Sequence, residues 1–383
     1  MIGGAVLPYK ALARFTSVEK PSSSLVYRTL GKTGLKVTVV SYGVMDAENP
    51  ALIHRALELG INHYDTAHGY QRGRNETMVG DVVESMGMRD KVIIATKVAL
   101  PRDRRTMTYT RRATKESFLE MLDTSLKRLK TDYVDILYNH SVYNEKMVNY
   151  GEVLEALTAA KKVGKARFVG LSTHSNEHNV IRSAIKNGNY EVILTAHNFL
   201  KSNKDELKQA IKEAAQAGIG IVDMKPMALD FDDYLGERDE KYFESALKWV
   251  LADKNIACAI PGMTTFDHLN QNFSVMANLN LDKKDVHQLA KVKHFSAGHY
   301  CSSCQECLST CPKRVDIPDI MRSLMYYNSY RSPRLALETY AGIPSQQSLD
   351  ACLDCVSCQA VCRDGNNIPQ AIQWGRTKLT RLF

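Results

Sequence analysis

Apolar and polar positions along the chain switch between two periods, and the switch recurs eight times. Runs of strand-like, β-branched and aromatic residues are each followed by a stretch whose apolar residues return every three or four positions. The predicted strands are 37–43, 61–67, 91–97, 133–140, 166–173, 191–197, 220–225 and 256–262. The helices predicted after them are 49–60, 75–86, 114–130, 149–165, 176–188, 204–218, 241–255 and 266–279. Gly60, Gly164, Gly188 and Gly218 stand at helix ends, where a left-handed residue turns the chain toward its next strand.

Eight such units predict an α/β fold, a closed (β/α)8 barrel. An open doubly wound sheet would need a G-x-G-x-x-G loop after its first strand, and SYGVMDAEN is not one. The segment from Asp282 to Gly298 leads away from the barrel, so the predicted boundary is at 298. Residues 1–25 are read as an N-terminal extension, 26–298 as the barrel, and 299–383 as a small, mainly helical domain.

Composition narrows the function classes. An apolar share of 44% with 24% charged residues is ordinary for a globular chain and sets aside disordered and collagen-like classes. No apolar run approaches the roughly 20 residues of a membrane span. The net charge of +8 is spread along the chain without aromatic interleaving, which argues against nucleic-acid binding. One loop departs from this evenness: PRDRRTMTYTRR carries Arg102, Arg104, Arg105, Arg111 and Arg112. It is a candidate docking patch for an acidic electron-transfer partner or a phosphorylated substrate, set against the plainer reading of a solvated loop. At the start, Ala11-Leu12-Ala13 fits an export-signal cleavage pattern, but no basic region precedes it. The expectation is a cytoplasmic protein with an ordinary extension, or one exported in folded form if Met1 is not the true start.

In a (β/α)8 barrel, chemistry gathers at the C-terminal ends of the strands. Four residues stand there: Asp65 and Tyr70 after the second strand, Lys97 ending the third, His140 ending the fourth. A buried ammonium at Lys97 needs a counter-charge, which Asp65 can provide. The nearby cation is expected to lower the Tyr70 phenol toward a useful proton donor. His140 adds a hydrogen bond to a substrate oxygen. Singly, each has a structural role to fall back on; together they suit carbonyl reduction or its reverse.

With these residues the chain resembles the aldo-keto reductase family, over about 26–281. YDTAHGY and GRNETMVG, with Glu76 and Gly80, are followed in family order by ATK, LYNH, GKARFVGLS, MKP and IPGM. The resemblance implies that Asp65, Tyr70, Lys97 and His140 are the catalytic tetrad, with Tyr70 the general acid acting on a small carbonyl or alcohol substrate. It also implies NAD(P)H across the mouth, touched by Val44, Met45, Asp65, Ser172, Thr173, Met224, Lys225, Pro226, Gly262, Thr264, His268 and Asn272. Departures cluster at these contacts. Leu194 and Thr173 replace an amide-binding Gln and Asn, and Gly262 and His268 replace a basic pair, which implies no strong preference for NADPH.

Eight of nine cysteines lie between 301 and 362, a crowding that indicates metal and not a disulfide framework. The ninth, Cys258, sits in an apolar run and reads as a small buried hydrophobe. Cys301, Cys304, Cys307 and Cys311 read C-x2-C-x2-C-x3-C-P; Cys352, Cys355, Cys358 and Cys362 repeat the spacing with Arg363 in place of proline. Structural zinc is the alternative, but two ferredoxin runs favour two [4Fe-4S] clusters. In such pairs each fourth cysteine ligates the other cluster. One cluster is thus assigned Cys301, Cys304, Cys307 and Cys362, the other Cys352, Cys355, Cys358 and Cys311. The resemblance is to bacterial-type ferredoxin domains fused behind aldo-keto reductase barrels.

Three functions follow. The first is hydride chemistry at the mouth, with clusters exchanging electrons with a partner. The second is a nicotinamide-independent reductase fed directly by the clusters. The third is a non-catalytic electron carrier or nicotinamide sensor, which the complete tetrad disfavours.

Overall fold

The computed structural model describes residues 25–104, 106–228, 240–295, 300–353 and 355–380. The proposed signal remnant, the boundary at 298 and Arg105 lie outside the described residues.

A short antiparallel hairpin, β1 (Tyr27–Thr29) on β2 (Lys36–Thr38), comes first. The barrel strands then run β3 (Tyr42–Gly43), β4 (His63–Asp65) and β5 (Ile93–Val98). A small hairpin, β6 (Arg102–Asp103) with β7 (Thr108–Tyr109), intervenes. The series resumes with β8 (Val134–Asn139), β9 (Ala166–Thr173), β10 (Val192–Ala196), β11 (Gly220–Met224) and β12 (Cys258–Ala259). Every neighbouring pair in the eight-stranded sheet is parallel. Parallel bridges Val40 to Ala259 and Gly43 to Gly262 join the last strand to the first, which closes the barrel.

The helices between strands fall where the periodicity put them: α1 (Pro50–Leu59), α2 (Arg74–Ser85), α3 (Lys115–Leu129), α4 (Gly151–Lys162), α5 (Glu177–Asn187), α6 (Lys204–Gln216), α7 (Glu240–Leu251) and α8 (Phe266–Ser274). Their starts are set locally: the Asn49 side chain caps α1, and Thr114 with Ser117 forms a capping box on α3. The four glycines expected at helix ends all take positive φ. The first strand is shorter than expected because 36–38 pair with β1 and not with the barrel.

Two apolar layers result. Strand residues such as Ile94, Leu137 and Val169 face the helices, while Ile93, Ala95, Ile136, Tyr138, Val192 and Leu194 fill the barrel interior. Leu30 and Leu35 of the N-terminal hairpin join that interior cluster. Gly31 there takes φ 53, and a Cβ on it would meet the Gly220 nitrogen at 2.3 Å, so a bulkier residue could not seat the hairpin so closely.

After α9 (Lys283–Phe295) come α10 (Ile317–Asn328), α11 (Pro333–Ala341) and α12 (Ile368–Lys378). Among the described residues from 300 onward there are helices and turns and no strand. Ile320, Leu324, Tyr340, Leu349 and Ile372 centre a separate small core, on which Met45 of the barrel mouth also packs. No helix among the described residues is long and apolar enough to cross a membrane.

Candidate active site

Strand alternation decides which side chains reach the mouth. On β5, Ile93 and Ala95 face inward, so Lys97 continues the inward face at the strand's end; on β8, Ile136 and Tyr138 bring His140 to the same place. The same period carries His63 and Asp65 inward on β4. Lys97 satisfies all three of its donors there. Nζ contacts Asp65 Oδ1, donates to the Thr66 carbonyl at 2.7 Å and to Tyr70 Oη at 3.3 Å. The Tyr70 and His140 rings meet edge to face with centroids 5.9 Å apart. All four residues predicted to form the tetrad therefore meet in one site.

Behind them, Glu76 is fully buried and accepts from Thr96 at 2.6 Å and from Arg128 at 3.1 Å. Asn75 donates to the Val44 carbonyl at 2.6 Å. These bonds anchor α2 beneath the Asp65–Tyr70 loop, which accounts for polar residues on a buried helix face. Cys258 is buried as expected, with Sγ 3.6 Å from His63 Nδ1.

The electrostatics differ from expectation at Tyr70. Its phenol is not lowered: burial and then the Asp65 and Asp46 carboxyls push it well above the usual tyrosine range. The cation is present, but Asp65 already neutralises it, and desolvation of a phenolate dominates. Burial likewise pushes Asp65 up and Lys97 down, each partner opposing the other's shift. His140 is held well below the usual imidazole range by burial and by Lys97, Arg102 and Arg322. The site thus presents a protonated phenol and a neutral imidazole.

A cavity of about 540 Å³ opens above these groups. Its wall includes Asp65, Tyr70 and His140 together with Met45, Ser172, Met224, Lys225, Pro226, Gly262, Thr264, His268 and Asn272. Two predicted contacts lie elsewhere. Val44 is fully buried with its carbonyl engaged by Asn75, and the Thr173 hydroxyl donates to the Ser175 carbonyl at 3.0 Å. The lining that remains mixes apolar and polar groups and includes both tetrad residues and residues of α8.

Sequence reasoning missed the opposite wall. Arg322, Tyr326 and Tyr330, from α10 and the turn after it, line the same cavity. So does Asp46, whose Oδ1 has no hydrogen-bond partner among the described residues and whose carboxyl is pushed up to about 6 by burial. Nothing local in IPDIMRSLMYYNSY marks which of its residues would reach the mouth. The arginine-rich loop also has a different task from the docking patch expected of it. Arg104 pairs with Asp319 at 2.5 Å and Asp316 at 3.5 Å, and Arg102 stacks on the Tyr143 ring while bonding its hydroxyl at 3.1 Å. Arg104 thus clasps the start of α10 and Arg102 is held within the barrel by Tyr143, while Arg111 and Arg112 of the described set stay exposed.

Burial raises the Cys301 and Cys307 thiols, with Cys304 and Cys362 adding to both shifts, and burial raises the Cys352 thiol, with Cys311, Cys355 and Cys358 adding. The two runs are stitched together by Val361 N to Thr310 Oγ1 at 2.9 Å and Arg363 to Glu306 at 2.9 Å. Among the described residues, no three or more His, Cys, Asp or Glu side chains are drawn together tightly enough to hold a metal ion.

Residues 39–294 match the Aldo/keto reductase family. The chain is 28% identical to an uncharacterised oxidoreductase of Bacillus subtilis, over 68% of this chain and 94% of that protein. It is 25% identical to an L-galactose dehydrogenase of Arabidopsis thaliana, covering 70% of this chain and 92% of the relative. Among solved structures, an aldo-keto reductase from Bacillus halodurans in its holo form superposes with a TM-score of 0.58 at 25% identity. That match covers 74% of this chain and 99% of the other.

Proposed function

The chain belongs to the aldo/keto reductase family and is an oxidoreductase, and from that premise we propose that it reduces a carbonyl compound, or oxidises the corresponding alcohol, with Tyr70 as the proton donor. One observation carries this reading: Lys97 Nζ contacts both Asp65 and the Tyr70 hydroxyl at the floor of a cavity that His140 also lines.

Tyr70 is held protonated and can give its proton to the substrate oxygen as that oxygen becomes an alkoxide. Lys97, balanced by Asp65, then lies beside the phenolate left behind. His140, held neutral, donates one N–H to the same oxygen and fixes the carbonyl's orientation. NAD(P)H along Ser172, Met224 to Pro226 and Gly262 to Asn272 would supply the hydride. Tyr326 and Tyr330 line the facing wall.

The second half of the proposal is that 299–383 form an iron-sulfur domain with two [4Fe-4S] clusters, each fourth cysteine crossing to the other set. Thiol chemistry, the ferredoxin spacing and the pairing of Cys362 with the first run support it. Cluster assembly would draw each set inward. The direct, nicotinamide-independent reading has an observation of its own: Cys301, Ser302 and Ser303 line a small cavity of about 90 Å³ together with His174, Lys225 and Arg322 of the mouth.

The test is Tyr70→Phe, assayed anaerobically for carbonyl reduction with NADH and NADPH. Loss of roughly a thousandfold in kcat with nucleotide affinity kept within threefold is expected. A variant within a few-fold of wild type would remove Tyr70 from the role.

A further inference from the structure

The cavity wall facing the tetrad is cationic in a way that hydride transfer to a neutral carbonyl does not require. Arg322, its side chain 13% exposed, lines both the large cavity and the smaller one beside it. Its Nη1 pairs with Asp319 Oδ1 at 3.1 Å, and its Nη2 lies 3.5 Å from His174 Nδ1. Asp319 is already shared with Arg104, so one carboxylate serves two guanidinium groups. Across the mouth, Lys225 also lines both cavities; its carbonyl accepts from Asn198 and Ala228, but its Nζ has no hydrogen-bond or ion-pair partner among the described residues and lies 5.7 Å from the Tyr326 ring centroid. Its backbone holds φ 59, an uncommon conformation for a lysine.

The field these groups make is felt by the two imidazoles between them. His174 is held well down by burial, then by Arg322, Lys225, His140 and Arg102, and the charged groups acting on His140 are likewise all cations. The Lys225 amine itself is pushed down to about 7 by burial and by Arg322 and Lys201, against the smaller opposing pull of Glu177 and Asp46. Lys225, Arg322, Arg331 and Arg334 outnumber Asp46, Asp65 and Glu338 in the cavity lining, and Asp65 is already matched by Lys97, so the wall keeps an excess of cation that an anion can complement.

Resting on the carbonyl-reductase reading, we infer that Arg322, with Lys225 facing it, forms a subsite for an anionic group on the substrate, so that the enzyme takes a carbonyl compound bearing a terminal carboxylate or phosphate. The C-terminal helical region would thus contribute a specificity residue to the barrel's site. The anion lies on the His140 and His174 side of the mouth, away from the Gly262 to Asn272 end that suits a nucleotide's adenine. Arg322 offers the planar, paired donors that a carboxylate or phosphate accepts.

Binding is measured first, because it does not depend on turnover. Calorimetry on the intact holoenzyme compares glutarate with glutaramide, and glycerol 3-phosphate with glycerol. An anion preference of at least tenfold in wild type is expected, and the stronger of the two anions identifies which source of charge the subsite fits. Arg322→Gln should weaken the preferred anion by roughly 30-fold while leaving the affinity for NADP+ within threefold. Arg104→Gln loses a pair to the same Asp319 but does not line the cavity, and should leave the anion preference in place. Equal binding of anions and neutral analogues by wild type would overturn the proposal. So would an equal loss in both variants, which would make Arg322 merely structural, or a loss confined to NADP+, which would assign it to the nucleotide. Steady-state kinetics with 5-oxopentanoate against pentanal then separates the two readings. Anion binding without reduction of either aldehyde would sink carbonyl reduction and leave the subsite standing; reduction of both with equal kcat/KM in wild type and Arg322→Gln would sink the subsite alone.

Discussion

The barrel mouth and the cysteine region hold their chemical groups by different means. Asp65, Lys97 and His140 extend from strands whose backbone is paired on both sides, and each is locked by buried partners supplied by the same barrel. The cysteines sit in turns and single helical turns around a much smaller apolar core. That region also leaves Leu353, Val356 and Val361 exposed at 68%, 105% and 63%, all beside the second cysteine run. A site built on strands is made by folding; a site built on turns needs its ligand to hold it.

The largest expected effect follows from this contrast. On the proposal that 299–383 bind two clusters, chelating iron anaerobically from the reconstituted protein should abolish hydrogen-exchange protection across 300–380, while the barrel strands stay protected. Equal retention in both regions would mean that the helical core suffices without a cluster. Next in size is Lys97→Met, which strands a buried carboxylate at Asp65 and should cost about 3–5 kcal/mol of barrel stability, read by denaturant unfolding. A loss under about 1 kcal/mol would show that Asp65 is readily protonated in place. The smallest is Arg104→Gln at the seam between the regions. Loss of its pairs with Asp316 and Asp319 should loosen α10 by about 1–3 kcal/mol and raise exchange there, with the unfolding of the barrel unchanged. An unaltered α10 would mean that apolar packing holds the seam without these pairs.

The contrast also explains what was legible in the sequence. The eight units and the tetrad could be read because strand period fixes which residues face inward, and because Asp65, Lys97 and His140 end their strands. The two C-x2-C-x2-C-x3-C runs were legible from spacing alone, and their ligand role stays a proposal. Three features were not, because each depends on where 300–341 come to lie. Arg102 and Arg104 looked like a free basic patch until α10 supplied Tyr143's neighbour Arg322 and the acceptors Asp316 and Asp319. Arg322 itself carries no local sign of reaching a mouth built some 180 positions earlier. The rise in the Tyr70 phenol was missed because burial, which no spacing reveals, outweighs a cation already neutralised by Asp65.

The central claim is that the two regions make one redox enzyme, joined where Cys301 and Arg322 share a cavity wall. Its most direct test is an anaerobic absorbance titration of the iron-reconstituted protein, with NADH, NADPH and dithionite in separate experiments. The account predicts that dithionite bleaches the cluster absorbance fully and that at least one nicotinamide bleaches it too. Full bleaching by dithionite with none by either nicotinamide would contradict it.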